Sequence, residues 1–408
     1  MQRWFVALLA AQALLSQSTD VPSLSRKAAI AEAMSAHPAA IAAAERVGVS
    51  QGFRTQAGFG HNPRFYFQHE NLRGYGGRPL GYWALTDTFF YLQQTLETAG
   101  KRGSRVDLAS QDVRLTELER DLVRKQIAGR VSLAYWAAAG AQRRVELYGE
   151  ALDNLSRMVE YHEIRVREGA IAEADLIRVR LEQQRMKIGV NQARLEAERA
   201  RIQLQREIGR RDFPHIRLSD RIDQPGSATL ADFDRALEQR AEMRVARAGL
   251  DRARSDERLQ TANAKPNVDV LFGYKRTNGL NTTLGGVQVD LPFWNKNQGN
   301  LAAARAGQRV AEANLAATEA LIRAEVEAAR SEHEIRASEV GQLLEPLREQ
   351  AGETYRIADS AYRVGGTDLL RLLDAQRVRI EAEIAYAEGL AALRRSEAVL
   401  ETAMGVEP

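Results

Sequence analysis

The sequence predicts a mostly α-helical fold combined with a membrane β-barrel, in which each chain supplies four strands and three chains close a 12-stranded barrel. Three observations lead to this prediction. Ala, Arg, Leu and Glu dominate a chain that has only 10 prolines and 6% aromatic residues, which favours long helices. The two halves of the chain repeat one pattern of segments. A few short segments alternate apolar and polar residues, as strands do.

The overall charge and the cysteine count exclude several classes of function. The 57 Lys and Arg residues nearly balance the 54 Asp and Glu residues, which leaves a net charge of +3. Such a balance does not supply the basic surface that nucleic-acid binding requires, so we expect no nucleic-acid partner. The chain has no cysteine, which excludes disulfides, thiolate metal sites, a cysteine nucleophile and a lipid attached to cysteine.

Residues 1–18 are predicted to be an export signal. Arg3 precedes the apolar segment Trp4–Leu15, which only Gln12 interrupts, and small residues follow. This order is typical of a signal peptide with its cleavage site, and the apolar segment is too short to span a membrane. An apolar N-terminal helix packed on a core is the alternative.

Two halves of the chain repeat the same order of motifs. Leu96–Arg102 matches Leu291–Asn297, 195 residues later, and Asp175–Arg178 matches Asp368–Arg371, 193 residues later. These distances are far longer than the repeats of solenoid proteins, so we predict one internal duplication. The predicted boundaries are 19–209 for the first repeat, 210–229 for a linker and 230–408 for the second repeat.

Each repeat is predicted to contain two β-strands. Val268, Val270 and Phe272 alternate with Asp269 and Leu271, and a period of two gives a strand one apolar face. A lone four-stranded sheet with unpaired edge strands is prone to aggregate. If the same sheets of other chains pair with these edges, they close a barrel that has no free edge. A small sheet packed on its own helices is the alternative. The predicted strands cover about 63–70, 82–96, 267–275 and 283–291.

Each repeat is also predicted to contain one very long helix. Leu152, Leu155, Val159 and His162 belong to a seam that steps by three and four residues, a period of 3.5 that is typical of a coiled coil. A helix of about 65 residues would be about 100 Å long. From the helices alone, a soluble antiparallel coiled coil is the alternative. The long helices are predicted at about 103–167 and 299–363.

A shorter helix follows each long one, at about 171–209 and 367–404. Leu181, Ile188, Leu195 and Ile202 are spaced by seven, with polar residues at the other seam positions. Such a narrow apolar stripe suits a wet helical wall better than a dry bundle core.

No catalytic or metal-binding motif is present in the sequence. There is no Walker A motif, no H-E-x-x-H and no G-x-S-x-G. His162-Glu163 and His333-Glu334 each look like half of a zinc motif, but no histidine follows four positions on, so both histidines are interpreted as solvated helix positions. We therefore expect no enzymatic activity, no catalytic residue, no cofactor and no resident metal.

The repeated layout and three motifs resemble one family. The motifs are Leu96–Arg102, Leu291–Asn300 and Tyr362–Arg377. Together with the signal peptide they resemble the outer-membrane factors, the TolC-like efflux channels, and in particular the CzcC-like branch that serves heavy-metal cation efflux. The resemblance implies a homotrimer in the outer membrane of a Gram-negative bacterium, with a 12-stranded barrel in lipid and an α-helical tunnel (an α-barrel) in the periplasm. It also implies a periplasmic adaptor protein and a proton-driven inner-membrane transporter as partners.

The resemblance also implies the positions of two sites. Two helix–helix returns are expected to dock the adaptor, and an aspartate just beyond the second return is expected to form a periplasmic gate. Arg371 and Asp374 share one helix face, and pairing of Asp374 with Arg371 or Arg178 could hold such a gate shut. An ordinary surface ion pair is the alternative, and Arg371 stands where some relatives carry a second aspartate. The predicted docking residues are Arg167, Gly169, Ala170, Ile171, Arg363, Val364, Gly365, Gly366 and Thr367.

Three functions remain open from the sequence. The first is the passive exit duct of a tripartite efflux pump, with heavy-metal cations as cargo. The second is the same duct used for drug efflux or type I protein secretion. The third is a soluble periplasmic coiled-coil adaptor. We expect the choice of metal to lie with the partner proteins, because this chain lacks the clusters of His, Cys or Met that select transition metals.

Overall fold

The computed structural model describes residues 22–72, 86–224 and 233–406. The predicted export signal lies outside the described residues. Helices account for most of the described chain: α1 (Arg26–Ala36), α2 (Pro38–Ala57), α3 (Lys101–Arg167), α4 (Glu173–Ile208), α5 (Phe233–Gln239), α6 (Ala241–Asn263), α7 (Gln298–Ser338), α8 (Glu345–Arg363) and α9 (Leu369–Ala403). The strands are β1 (Ser23–Leu24), β2 (Arg64–Glu70), β3 (Asp87–Leu96), β4 (Arg217–Leu218), β5 (Val268–Thr277) and β6 (Leu280–Val289). In the described part of the chain no helix is both long and apolar enough to cross a membrane.

The duplication is visible in the ends of the helices. Gly169 after α3 and Gly209 after α4 have left-handed backbone angles, and Gly365 and Gly405 repeat them 196 residues later. Glycine adopts this conformation without a steric penalty, which is why it ends helices. The matching motifs Asp175–Arg178 and Asp368–Arg371 do not occupy the same position in their helices. Asp368 caps α9, whereas Asp175 lies within the first turn of α4.

The described chain forms two compact units, and neither corresponds to one repeat. Of the described residues, the helical unit contains 22–41, 123–224, 233–240 and 322–406, and the sheet unit contains 42–72, 86–122 and 241–321. Each unit therefore combines segments from both halves of the sequence.

The sheet unit is built on an antiparallel sheet with the strand order β2-β3-β5-β6. The register places Phe65 opposite Leu92 and Leu92 opposite Phe272, so these residues share one face. All three side chains are more than half exposed. Tyr66, Tyr91 and Gly273 are aligned on the opposite face. The sheet therefore has one strongly apolar face that nothing in the described chain covers.

Two strand boundaries differ from the sequence prediction. The second strand was expected over 82–96, but it begins at Asp87 within the described residues, and residues 82–85 lie outside them. The fourth strand was expected over 283–291, but it covers Leu280–Val289. Asn278 and Gly279 both have positive φ, as a two-residue hairpin turn requires, and this turn moves the start of β6 forward. Pro292 lies shortly after the end of β6, and a proline has no backbone N–H with which to continue the hydrogen bonds of a strand.

The Leu96–Arg102 motif fastens the turn between β3 and α3. Arg105 donates two hydrogen bonds to Glu97, at 2.5 and 3.1 Å, which hold the pKa of the Glu97 carboxyl below its usual range. Lys101 Nζ donates to Asn267 Oδ1 at 2.5 Å. Through Lys101 the motif joins the first repeat to the second.

The long helix predicted over 299–363 is interrupted. Helices α7 and α8 are separated by a π-helical segment, Glu339–Leu344. Pro346 follows directly, in the first turn of α8. A proline inside a helix lacks the N–H that would bond four residues back and crowds that carbonyl group. Widening of the preceding turn accommodates it, and such π-segments hold one extra residue.

The segment predicted as a linker, 210–229, is part of the core where it is described. Arg217 and Leu218 pair in parallel with Ser23 and Leu24, and Leu218 and Ile222 are buried. The side-chain amide of Gln142 bonds both backbone groups of Leu218, at 3.0 and 3.4 Å. A two-residue strand has no periodicity, so the sequence pattern could not reveal it.

Tyr135 holds this strand pair against α3. Its fully buried hydroxyl donates to the carbonyl oxygen of Leu24 at 3.0 Å and accepts the N–H of Asp220 at 3.1 Å. Burial raises the pKa of Tyr135 to about 12, so the hydroxyl keeps its proton at neutral pH.

We expect Tyr135→Phe to destabilise the helical unit by about 1–3 kcal/mol, because the N–H of Asp220 loses its partner and the Leu24 carbonyl keeps only the N–H of Ser219. The shift of the thermal transition in detergent, followed by circular dichroism, measures this effect. Tyr161→Phe is the matched control, since the hydroxyl of the half-exposed Tyr161 only accepts a bond from Arg165. Equal shifts for the two variants would contradict the assigned role.

Candidate functional site

The two helix–helix returns have the same backbone structure. In the first, Ala170 N donates to Arg165 O at 2.9 Å, and Gly169 has φ +69°. In the second, Gly366 N donates to Ala361 O at 2.8 Å, and Gly365 has φ +76°. Both are helix ends of the Schellman type. Gly365 therefore requires glycine, whereas Gly366 does not have a left-handed conformation.

The predicted docking residues all lie at the surface. Most are exposed, and Val364 reaches 84% exposure. Ile171 and Thr367 are half-buried. The two returns differ in their chemistry, since Glu168 of the first is replaced by Val364 in the second. The exposed and half-buried residues are Arg167, Gly169, Ala170, Ile171, Arg363, Val364, Gly365, Gly366 and Thr367.

A small buried cluster lies behind the returns and joins α3, α4 and α9. Val159, Leu176, Val179 and Leu369 form it, with Tyr362 packed against them. The cluster brings the two returns together within the helical unit, so they form one surface rather than two separate sites.

His162 belongs to this buried region, and its interpretation as a solvated position was wrong. Its side chain is fully buried. Nδ1 lies 2.7 Å from the Met158 carbonyl oxygen, which assigns the proton to Nδ1, and Nε2 then accepts the hydroxyl of Tyr362 at 2.9 Å. The two rings stack at 5.9 Å. His162 belongs to the apolar coiled-coil seam of its helix, and this periodicity correctly indicates a buried side chain.

The predicted gate residues are not brought together as expected. Within the chain Asp374 pairs with Arg377 at 2.7 Å, and Arg377 also contacts Glu381 at 3.3 Å. Arg178 pairs with Asp175 at 3.8 Å, and the backbone N–H of Arg371 donates to the capping carboxylate of Asp368 at 2.9 Å. Arg377 is not among the gate residues predicted from the sequence. Its position three residues after Asp374 indicates that the two side chains can form an ion pair on the helix surface.

The acidic face of α9 is open to solvent. The side chains of Asp374, Arg377 and Glu381 are 62%, 58% and 61% exposed. The hydrogen bond to Asp374 raises the pKa of Arg377, with smaller contributions from Glu381 and Asp374 as charges. We call these three residues the acidic triplet; it carries a charge of −1. No group of three or more His, Cys, Asp or Glu residues in the described ranges could hold a metal ion.

Comparison with known families shows to which family the chain belongs. The profile of the family described as outer membrane efflux protein matches residues 87–210 and 233–406, one match in each half. The chain belongs to this family. The resemblance to TolC-like efflux channels is thereby confirmed. The mostly helical fold with few strands is confirmed as well, whereas closure of a 12-stranded barrel by three chains stays a prediction.

Individual relatives agree with the family assignment. The cobalt-zinc-cadmium resistance protein CzcC of Cupriavidus metallidurans is 27% identical over 297 residues, which cover 71% of this chain and 70% of CzcC. The open state of the Neisseria gonorrhoeae outer membrane channel MtrE superposes with a TM-score of 0.76 at 17% identity, over 94% of this chain and 89% of MtrE. CusC superposes equally well, with a TM-score of 0.76 at 18% identity over 93% and 92% of the two chains.

Proposed function

We propose that this chain forms, as a homotrimer, the outer-membrane channel of a tripartite efflux pump. The observation that carries the proposal is the four-stranded sheet with an uncovered apolar face and unpaired outer edges at β2 and β6 among the described residues. In lipid every backbone group needs a partner, so a sheet must close into a barrel. Four strands are too few to close alone, whereas three copies supply 12, an even number that is typical of outer-membrane barrels.

The surface at the two returns is the proposed docking site for a periplasmic adaptor. Its residues are exposed, and the buried cluster of Val159, Leu176, Val179 and Leu369 holds both returns in one surface. An inner-membrane, proton-driven transporter would deliver cargo through that adaptor. The barrel would lie in outer-membrane lipid of a Gram-negative bacterium, with the helices in the periplasm.

The acidic triplet is the proposed gate. Three copies around an axis would place three Asp374 carboxylates in a ring, and a ring of like charges in a narrow pore selects ions. Within each copy Arg377 neutralises part of this charge. Arg371 and Arg178 would act in the gate only through contacts between copies.

The proposed cargo is a heavy-metal cation. Support comes from the similarity to CzcC, which is named for resistance to cobalt, zinc and cadmium. The chain would be a passive conduit, because a ligand site would retain the ion that has to leave. Selection of the cargo would then lie in the inner-membrane transporter and its adaptor.

Deleting the gene is expected to sensitise cells to divalent metals such as zinc, cobalt or cadmium, because the exit path is lost. Growth on graded metal concentrations measures the effect, and the plasmid-borne gene should restore tolerance. The restored protein should fractionate with the outer membrane and migrate as a trimer in detergent. Calorimetry of the purified trimer with zinc is expected to show no tight stoichiometric site.

The outcomes separate the proposed function from its rivals. Unchanged metal tolerance with new sensitivity to lipophilic drugs would overturn the metal cargo and leave the duct. Loss of a secreted protein would assign the duct to type I secretion. A monomer in the soluble periplasmic fraction would overturn the channel itself in favour of an adaptor role.

A further inference from the structure

The apolar face of the sheet ends in a polar row next to the Asn278-Gly279 turn. Each strand places every second residue on this face, and the register aligns these residues into rows across the four strands. The rows nearer the helices are mostly apolar or aromatic, and Phe67 and Phe272 within them are 62% and 69% exposed. The last row, which we call the outer row, consists of His69, Thr88, Arg276 and Asn281.

The outer row lies where an apolar barrel surface would meet lipid headgroups. On β6, Val289 and Asn281 are eight residues apart on this face, or about 27 Å at about 3.4 Å per residue. At a strand tilt of about 40° this length covers about 21 Å of the membrane, close to the roughly 25 Å apolar band of outer-membrane barrels. Such bands end in aromatic residues, and the stacked rings of Phe90 and Tyr274, 4.8 Å apart, directly precede the outer row. With the helices in the periplasm, this boundary belongs to the outer leaflet.

Arg276 gives the outer row a positive charge that its own chain does not neutralise. The side chain is half-buried, its Nε is shielded from water without a hydrogen-bond partner, and it forms no ion pair with the described residues. The nearby carboxylates of Glu70 and Asp87 lie on the opposite face of the sheet. Asp87 is occupied there, since it accepts bonds from Asn71 Nδ2 and Asn278 N at 3.0 and 3.1 Å. A shielded N–H without a partner costs free energy, so the guanidinium is suited to an acceptor from outside the chain.

Asn281 adds donors beside Arg276. The two residues are directly opposite each other in the register of β5 and β6. Asn281 Oδ1 accepts the hydroxyl of Tyr274 at 2.5 Å, which leaves the Nδ2 protons for another acceptor. On the other side of Arg276, the hydroxyl of Thr88 lies 2.9 Å from His69 Nδ1. The outer row therefore presents donors, and no carboxylate, to an oxyanion.

We propose that Arg276 and Asn281 bind a phosphate group of a phosphorylated glycolipid headgroup in the outer leaflet. This proposal rests on the proposed trimeric barrel. A guanidinium presents a planar fork of N–H groups that matches two phosphate oxygens, and charge-assisted bonds of this kind are strong. The apolar stem of Arg276 covers part of the aromatic border while its head reaches the headgroup. Three chains supply three such sites around the barrel.

A lipid fits this surface better than a free phosphate ion does. The exposed rings of Phe67 and Phe90 lie next to the outer row, and acyl chains remove such rings from water whereas an inorganic ion leaves them exposed. Lys275 carries a second positive charge at nearly the same depth. Its Nζ lies 5.3 Å from the Phe89 ring, on the opposite face of the sheet, which lines the interior of the barrel. Only Arg276 can therefore meet the lipid.

Binding of lipid A, a phosphorylated glycolipid, to the purified trimer in detergent tests the site, with native mass spectrometry as the measurement. The natural trimer should bind up to three lipid A molecules. Arg276→Gln should weaken binding about tenfold or more, as expected for lost hydrogen bonds to a charged group. Asn281→Asp keeps an acceptor for Tyr274 but replaces the amide donors by a carboxylate, so it should also weaken binding. Lys275→Gln is the matched control, because it removes the same charge one residue away on the other face, and it should bind lipid A normally.

The remaining outcomes overturn the proposal in distinguishable ways. Unchanged binding by Arg276→Gln would show that Arg276 is only solvated, and an equal loss in Lys275→Gln would assign the effect to net charge. Equal binding of dephosphorylated lipid A would reject phosphate recognition, and complete displacement by inorganic phosphate would assign the site to a free anion. If Arg276→Gln does not assemble, normal binding by an assembled Asn281→Asp trimer would reject the site. A natural trimer without lipid A would reject this site alone, whereas a monomer in detergent would reject the proposed barrel as well.

Discussion

Gly273→Val is expected to prevent the β-sheet from assembling. Gly273 lies in β5, opposite Tyr91 of β3. A Cβ at this position would be 2.2 Å from the Phe90 carbonyl oxygen and 2.4 Å from the Tyr91 Cβ. One of these atoms belongs to the backbone, so the clash cannot be relieved by turning a side chain. Strand β3 would have to move away from β5 in the middle of the sheet, at a cost of about 3 kcal/mol or more.

The expected result for Gly273→Val is loss of the trimer from the outer-membrane fraction, with the chain degraded or aggregated. Gly285→Val is the matched control on the adjacent strand β6. A Cβ at Gly285 has nothing within 4 Å, and valine favours strands. This variant should assemble in normal amounts. Normal assembly of Gly273→Val would show that β3 and β5 can separate at this point without loss of the barrel.

Periodicity in the sequence predicted the regular elements of this chain well. Strand alternation located four strands, and heptad spacing located the long helices, because both patterns reflect burial of one face over many residues. The glycines at 169 and 365 marked the returns, since a left-handed residue after a helix favours glycine. These signals are local, so a single sequence is enough to read them.

The features that periodicity missed depend on single residues or on distant partners. Pro346 was visible in the sequence, yet the widened turn before it was not expected. The start of β6 depends on the Asn278-Gly279 turn, a standard hairpin signal of only two residues. The β1–β4 pair joins segments almost 200 residues apart, and it depends on Tyr135 and Gln142 of a third segment. No local pattern predicts such a contact.

The role of Asp374 in a gate stays a prediction, and within one chain its ion pair differs from the pairs that the sequence suggested. The acidic face of α9 begins just beyond the second return, as expected. Its ion pair is formed within one helix, between Asp374 and Arg377, because side chains three residues apart meet on a helix surface at little entropic cost. Arg178 pairs within its own helix as well, with Asp175.

Asp374→Ala and Arg377→Gln are expected to change the ion preference of the channel in opposite directions. The acidic triplet carries −1 per copy, so three copies present −3 around the axis. Asp374→Ala brings this charge to zero, and Arg377→Gln doubles it to −6. A unit charge about 4 Å from an ion in water changes its energy by about 1 kcal/mol, which is roughly a fivefold change in local cation concentration. Asp374→Ala should therefore reduce the cation preference or raise the conductance, and Arg377→Gln should increase the cation preference.

Reversal potentials of single channels in planar bilayers, under a salt gradient, measure both changes. Glu353→Ala is the matched control, because Glu353 and Arg356 form a similar exposed pair three residues apart on the neighbouring helix α8. High salt should reduce the shifts of both triplet variants, since screening weakens exposed charges. If Glu353→Ala shifts the reversal potential as far as Asp374→Ala does, the shifts report the net charge of the chain and not a role of the acidic triplet. If none of the three variants shifts it, Asp374 and Arg377 form an ordinary surface pair and the gate lies elsewhere. Only shifts of opposite sign in the two triplet variants, with an unchanged control, identify this face of α9 as part of the conducting path.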